Sequence, residues 1–325
     1  MSFDHPRAPI VIDRVLPDPS PVRELLVRGA PYWTVQRYVK NTSEMASLSD
    51  AGKQGRGHRP MFIAPWFRGD WAYGEPLIEG AEVFLEHEGF RSAAQEMFED
   101  AVIVPQIVYV NLNPPIAQVD PGHVDIPAFR GIDRTKYPVW LLATMLKSGL
   151  FERWYVPSVT AVAWYYEGQG GGFTYWPDGP DRSPISRPCI GNSAVVGDND
   201  YMFHRVEAVG PDDRTVPKGL TLQSQLRRSC DGWEVIEQGD VLARYDVEEV
   251  RVSVSWKALV FTDAKQQALY ENHEDDLTLD QAVENLLADL ATKGTPTERP
   301  ADPLNDRNFV ETLNAANRRA PTVWR

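Results

Sequence analysis

The sequence predicts a mainly β protein, with a sandwich, barrel or jelly-roll core and helical flanks at both ends. From Val156 onward, short β-branched and aromatic runs alternate with clusters of Gly, Pro and Asp, which is typical of many short strands joined by turns. The 26 prolines and 23 glycines suit such a chain better than a helical bundle. The 325 residues, of which 42% are apolar and 24% charged, are enough for one large core or two ordinary domains.

The N-terminal flank, residues 1–100, is predicted to be helical. Residues 21–29 read as a short helix, and residues 76–100 mix apolar and acidic residues at roughly helical spacing. Between them, residues 41–60 are polar and contain glycine, which predicts a loop.

The core is predicted over about residues 100–262. It opens with a β-branched strand that stops at Pro114, and a helix follows over residues 138–153. Seven further strands are then predicted, over residues 158–166, 173–176, 193–196, 202–209, 233–236, 241–245 and 250–261.

The C-terminal flank, residues 263–325, returns to helix. Thr278 and Gln281 form a capping box ahead of a helix over residues 282–290, and a last helix is expected near residues 308–318. Because the chain has no internal repeat and no long linker, the simplest prediction is a single domain over residues 1–325.

Charge and cysteine content exclude several classes of function. The formal charge of −13, without any block of Lys and Arg, argues against binding to nucleic acid or to an anionic membrane. The only two cysteines, Cys189 and Cys230, form no CxxC pair, which excludes a cysteine-based zinc site. No secretory signal opens the chain and no apolar run approaches the roughly 20 residues of a membrane span, so a cytoplasmic location is expected.

The most informative segment is the HxD pattern of His123 and Asp125, which follows a Pro-Gly turn. If the chain leaves that turn as a strand, residues two apart share a face, and both side chains can reach one metal ion. An imidazole and a carboxylate would supply two of the three ligands of a facial triad, which binds a divalent ion and leaves its opposite face open. The alternative is a surface histidine beside an aspartate, because so short a pattern often arises by chance.

His204 is the candidate for the third ligand. It lies inside an apolar strand and follows Asp125 in the chain. The alternative is a hydrogen-bonded histidine of the core. The other four histidines, at positions 5, 58, 87 and 273, are read as surface residues.

Arg251 and Ser253 share one face of a strand, opposite a row of valines. A charged group inside a barrel is costly unless it is paired, so an anion in the pocket is the natural partner. A guanidinium together with a hydroxyl suits a carboxylate. The alternative places both residues on the solvent face.

Together these motifs resemble the Fe(II)- and 2-oxoglutarate-dependent oxygenase superfamily. His123, Asp125, His204, Arg251 and Ser253 stand in the family's order, and residues 171–179 look like its Gly-rich strand. The resemblance covers roughly residues 100–262 and assigns no subfamily. It implies a double-stranded β-helix, a jelly-roll and cupin-like core packed by the N- and C-terminal helices.

The resemblance also implies the cofactors. Fe(II) would be bound by His123, Asp125 and His204, and the cosubstrate 2-oxoglutarate by Arg251 and Ser253, with O2 as the oxidant. Asn111 could hydrogen-bond the cosubstrate, although capping of the following Pro-Pro turn explains it equally well.

One departure from the family concerns spacing, because Arg251 follows His204 by 47 residues, further than the family's arginine usually stands. Arg214 satisfies the spacing but lies in a turn, so Arg251 is preferred. Residues 211–245 would then be an insertion near the site, a candidate lid.

Three functions remain open. The first is a non-haem iron dioxygenase, an oxidoreductase that hydroxylates or otherwise oxidises a small molecule such as an amino acid or a natural-product intermediate. The second is a cupin-like metalloenzyme that does not use 2-oxoglutarate, and the third is a non-catalytic jelly-roll binding module. The sequence leaves open the substrate, the choice between hydroxylation, desaturation and cyclisation, and the oligomeric state.

Overall fold

The computed structural model describes residues 6–38, 65–117 and 120–317, and the chain forms two compact units. Within those ranges the first unit contains residues 6–37, 65–117, 120–124 and 158–260, and the second contains residues 38, 125–157 and 261–317. The single domain over residues 1–325 stays a prediction. The predicted loop over residues 41–60 lies outside the described residues.

The first unit is built on a large, mostly antiparallel sheet. In sheet order its strands are β1 (Ile10–Ile12), β11 (Ser193–Gly197), β8 (Ser158–Trp164), β16 (Arg251–Phe261), β5 (Val102–Asn113), β3 (Phe67–Tyr73), β2 (Tyr32–Thr34), β13 (Gln225–Arg228), β14 (Gly232–Glu237) and β15 (Asp240–Asp246), with β4 (Glu75–Pro76) paired to β3.

A smaller sheet of the same unit has the order β10 (Ile185–Arg187), β9 (Phe173–Trp176), β12 (Phe203–Val206). An isolated bridge between His204 and His123 continues it beyond β12.

The chain alternates between the two sheets as a jelly roll does. From β5 it passes to the His123 bridge, then through β8, β9, β10, β11 and β12 to β16. We number these eight segments in the order in which the chain passes through them. In the large sheet the neighbours are then 6-3-8-1, which are β11, β8, β16 and β5. In the small sheet they are 5-4-7-2, which are β10, β9, β12 and the His123 bridge. This is the connectivity of a double-sheet jelly roll. The predicted mainly β fold with a jelly-roll core is confirmed.

The large sheet has an apolar outer face and a mixed inner face, because successive side chains of a strand point to opposite sides. On the outer face, helices α2 (Glu82–Leu85) and α3 (Glu88–Met97) pack against β16, where the indole Nε1 of Trp256 donates to the carbonyl of Leu85 at 3.1 Å. The inner face carries Trp164, which clusters with Phe173 of the small sheet. Side chains on the inner face therefore point into the space between the two sheets.

Residues 1–100 are less helical than predicted. They contain α1 (Ser20–Arg28), α2 and α3, but they also supply β1 to β4 to the large sheet. Residues 211–245, the predicted candidate lid, contribute strands to the large sheet. They form β13 and β14 and most of β15, and they join the sheet through pairing of β13 with β2.

The second unit is mainly helical and has its own apolar core. Its helices are α4 (Val139–Ser148), α5 (Ala264–Glu271), α6 (Leu279–Thr292) and α7 (Arg307–Ala316), and β6 (Ala128–Phe129) pairs with β7 (Tyr155–Val156). The helix predicted over residues 138–153 ends early because Gly149 adopts a left-handed φ of 69° at its C-cap. None of the helices in the described ranges is long and apolar enough to cross a membrane.

The predicted capping box is present at the start of α6, where Thr278 accepts a hydrogen bond from the backbone N–H of Gln281. We expect Thr278→Ala to lower the free energy of unfolding by about 1 kcal/mol, because the helix loses one cap. Thr292→Ala, in the last turn of the same helix, is the control and should change it by less than about 0.5 kcal/mol. Chemical denaturation of the wild type and the two variants measures both changes. If Thr278→Ala changes the free energy of unfolding as little as the control does, the cap contributes nothing.

Candidate active site

Three candidate metal ligands come together where the chain after the Pro-Gly turn meets β12. His123, Asp125 and His204 each offer one ligand atom, and these atoms lie within 4.8 Å of one another. The two histidines are held side by side by the β-bridge, in which each backbone N–H donates to the other's carbonyl at 2.8 and 2.9 Å. Their rings are 4.5 Å apart between centroids.

The expected reason for this convergence was partly wrong. No continuous strand follows the Pro-Gly turn, since only His123 lies in a bridge and Asp125 lies in irregular chain. The ligand atoms converge through the bridge to β12, and strand alternation is not what places Asp125.

Hydrogen bonds select the ring nitrogen that each histidine presents. Nδ1 of the buried His204 lies 2.9 Å from the carbonyl of Met202, and because a carbonyl only accepts, Nδ1 carries the proton. In His123, Nδ1 lies 3.4 Å from Oδ1 of Asp120. In both residues Nε2 then bears the lone pair, which is the form in which imidazole binds metals.

Asp120 is a supporting residue that the sequence did not reveal. Its carboxylate is buried and accepts hydrogen bonds from the backbone N–H groups of Gly122 at 2.9 Å and Val206 at 3.2 Å. Burial raises the pKa of the Asp120 carboxyl, but the hydrogen bonds that it accepts from His123, Gly122 and Val206 outweigh that effect and hold the pKa below its usual value. The ionised carboxylate ties His123 to β12 and fixes the orientation of its ring.

Gly122 allows the turn to approach β12. Its φ is +93°, and a Cβ there would lie 2.4 Å from the ring of Phe203. We expect Gly122→Ala to lower the affinity for divalent metal by about 10–100-fold, the usual cost of disturbing support around a ligand. Gly239→Ala is the matched control, because Gly239 has a φ of +97° and open space around it. Calorimetric titration with Zn2+ measures both, and equal affinities for the two variants would contradict the prediction.

Arg251 points into the protein, so the solvent-face alternative is wrong. It is 1% exposed, and its Nε donates to the carbonyl of Gly171 at 2.6 Å. Its Nη1 donates to Oδ1 of Asn113 at 3.2 Å and to Oγ of Ser253 at 3.0 Å. Its Nη2 is buried and has no hydrogen-bond partner.

No acidic side chain in the described ranges forms an ion pair with Arg251. The titratable groups that act on the guanidinium are the Cys189 thiol and the Tyr166 phenol. Burial lowers the pKa of Arg251, but a guanidinium remains charged in proteins. The buried positive charge of Arg251 therefore has no counter-ion among the residues that the structure describes.

Arg214 and Asn111 were the two other candidates for contact with the cosubstrate. Arg214 is partly exposed and forms an ion pair with Glu249. Asn111 lies on the same strand face as Asn113 and is partly buried, but Asn113 is the residue that contacts Arg251. A role for Asn111 stays a prediction.

His204 and Arg251 both lie on the side of their strands that faces the space between the two sheets. The ring of Phe173 lies 5.4 Å from that of His204 and 5.8 Å from that of Trp164. Trp164 in turn stands directly opposite Ser253 in the register of β8 and β16. A short row of buried side chains thus leads from His204, one of the candidate metal ligands, to Arg251.

The remaining histidines are separate from the site. His273 is exposed and contacts Asp276, as a surface residue does. His87 was predicted to lie on an exposed helix face, but it is half-buried and caps α3, with Nδ1 accepting from the N–H of Phe90. His5 and His58 lie outside the described residues.

No protein-family model matches the sequence. The human pleckstrin homology domain-containing family A member 5 is 30% identical over 116 residues, which are 34% of this chain and 10% of that protein. The chain thus spans about a tenth of the length of that relative.

Several solved structures are similar to parts of this chain. A 2OG-Fe(II) oxygenase family oxidoreductase from Burkholderia pseudomallei is 8% identical, with 61% of this chain and 67% of that chain covered and a TM-score of 0.34. A prolyl hydroxylase from Trichoplax adhaerens, in complex with a hypoxia inducible factor peptide fragment, is 12% identical, with 81% and 87% covered and a TM-score of 0.37. A prolyl-4-hydroxylase from Pseudomonas putida is 15% identical, with 78% and 92% covered and a TM-score of 0.35. Because these likenesses are partial, the function proposed below rests on the residues of this chain.

Proposed function

We propose that the protein is an Fe(II)- and 2-oxoglutarate-dependent oxygenase that oxidises a small molecule, by hydroxylation in the simplest case. The observation that carries the proposal is the buried Arg251, whose Nη2 has no partner, in the same jelly-roll interior as a His-Asp-His cluster. The two free cysteines fit a reducing compartment such as the cytoplasm.

The donor set fits iron. Two imidazole nitrogens and one carboxylate are the ligands of the non-haem Fe(II) facial triad, which leaves coordination positions open for substrate and oxygen. His123, Asp125 and His204 would hold the ion, and the ion would supply the activation of O2. Asp120 and the Met202 carbonyl keep both imidazoles in the tautomer that binds the ion.

The pocket around Arg251 fits a carboxylate. A guanidinium that is 1% exposed and has no counter-ion is costly, and a bound carboxylate would remove that cost. Nη2 would donate one hydrogen bond to it. Ser253 already accepts from Nη1, so its own hydroxyl hydrogen is directed to another acceptor, and a second carboxylate oxygen provides one.

A cosubstrate that reaches both the metal and Arg251 needs two separated acceptor groups. 2-Oxoglutarate has them, with a 2-oxo acid at one end to chelate the metal and a carboxylate at the other for Arg251. The two alternatives, a metalloenzyme without 2-oxoglutarate and a non-catalytic binding module, leave the buried charge of Arg251 without an explanation.

The reaction itself gives a direct test. We expect the Fe(II)-loaded protein in air to convert 2-oxoglutarate to succinate, at a rate that rises when a panel of amino acids and other small molecules includes the substrate. Asp125→Ala should lower succinate formation to the level of buffer containing Fe(II). If the wild-type protein also stays at that level across the panel, the proposal is contradicted.

A further inference from the structure

A second hydrogen-bond donor of the pocket has no partner. Trp164 is 1% exposed, and its buried indole Nε1 makes no hydrogen bond to any residue that the structure describes. A buried N–H without an acceptor is costly, so such a group in a native structure calls for an explanation.

Three other buried tryptophans also have an Nε1 without a hydrogen-bond partner among the described residues, but they lie in other parts of the fold. They are Trp71, Trp140 and Trp233. Trp71 and Trp233 belong to the apolar cluster on the outer side of the large sheet, and Trp140 belongs to the core of the second unit. Trp164 instead lies between the sheets, in a cluster with Phe173 and Met202.

The strand register places Trp164 beside the anion pocket. It stands directly opposite Ser253, and residues directly opposite each other in an antiparallel pair share a face and have Cβ atoms about 4.5–5.5 Å apart. Arg251 lies two residues before Ser253 on the same face and donates to its hydroxyl. On its other side, Trp164 contacts Phe173, whose ring contacts His204.

We propose that Trp164 is a further cosubstrate-binding residue, whose indole N–H donates to the carboxylate that Arg251 and Ser253 hold. The proposal rests on the proposed function and adds a third donor to it. An indole N–H and a guanidinium can only donate, so a ligand that satisfies both must present acceptors at both positions. A carboxylate has two oxygens and about four acceptor sites, enough for Nη2, the Ser253 hydroxyl and the indole.

The proposal is tested with Trp164→Phe, which removes the N–H and keeps an aromatic ring. We expect about 10–100-fold weaker binding of 2-oxoglutarate to the Zn2+-loaded protein, the fold-change expected for one hydrogen bond to a charged group. Zn2+ affinity should be unchanged. Trp233→Phe is the matched control, because Trp233 is also buried with an unpartnered Nε1 but lies in the outer cluster.

A second measurement needs no variant. The chain has ten tryptophans, so the 15N–1H spectrum of the Zn2+-loaded protein shows their indole signals in one resolved region. We expect one of them to move downfield on titration with 2-oxoglutarate and to stay in place with 2-oxobutyrate, which lacks the distal carboxylate. Trp164→Phe, if folded, should remove that signal.

The outcomes separate the two proposals. If the wild-type protein does not bind 2-oxoglutarate, the proposed function fails. If the wild-type protein binds it but Trp164→Phe binds within twofold of the wild type, only the role of Trp164 is wrong. If Trp164→Phe does not fold, the indole spectrum decides, because an unmoved set of indole signals during saturating binding overturns the role of Trp164.

Discussion

His123→Ala is expected to lower Fe(II) affinity by more than about 100-fold, beyond the 10–100-fold that loss of a supporting residue causes. The variant removes one of the two nitrogen donors of the His-Asp-His cluster. Because the His123 side chain is 51% exposed, the fold should tolerate the change, and the melting temperature should move by only a few degrees. Anaerobic equilibrium dialysis with Fe(II), and with Zn2+ as a redox-inert probe, measures the affinity.

His273→Ala is a closely matched control. His273 also contacts an aspartate three positions away through Nδ1, and it is 69% exposed. Its replacement should leave metal affinity unchanged. If both variants bind Fe(II) as tightly as the wild type, His123 is not a ligand, and the cluster is only a hydrogen-bonded pair of histidines.

Arg251→Met is expected to weaken 2-oxoglutarate binding by roughly 30-fold to several thousand-fold, the equivalent of about 2–5 kcal/mol for removing one member of a buried charge pair. Metal affinity should stay within a few-fold of the wild type, because Arg251 donates to Gly171, Asn113 and Ser253 and not to the metal ligands. Calorimetric titration of 2-oxoglutarate into the Zn2+-loaded protein measures the loss.

Two further variants sharpen that result. Arg251→Lys keeps the charge but loses the planar fork, so its affinity should fall between those of the wild type and Arg251→Met. Arg244→Met, on β15, removes an arginine that is 71% exposed and paired with Glu234, and it should bind 2-oxoglutarate normally. Unchanged binding in Arg251→Met would exclude the pocket as the cosubstrate site.

The strands of the jelly roll were largely predictable because their residues follow a simple period. Runs rich in Val, Ile and aromatic residues marked β5, β8, β9 and β16 to within a few residues. β3 was missed, since Arg68 and Asp70 interrupt its apolar residues and pair with each other on the inner face. A strand whose polar side faces the space between the two sheets has the composition of a loop.

The candidate ligands were predictable in identity but not in geometry. The order of His123, Asp125 and His204 pointed to a triad, whereas the bridge that joins the histidines depends on a contact between distant parts of the chain. Asp120 was missed for the same reason, because its role depends on the backbone N–H of Val206. Strand parity placed Asn111 and Asn113 on one face, but only packing decides which of them reaches Arg251.

The most direct test of the proposed cosubstrate chemistry is an anaerobic titration of 2-oxoglutarate into the Fe(II)-loaded wild-type protein, followed by visible absorption. A 2-oxo acid that chelates Fe(II) at the His-Asp-His cluster should produce a saturable charge-transfer band. The band should need both components, and it should be lost in His123→Ala and shifted to much higher 2-oxoglutarate concentrations in Arg251→Met. If Fe(II) and saturating 2-oxoglutarate produce no such band in the wild-type protein, the protein does not bind this cosubstrate at the metal, and the proposed function is wrong.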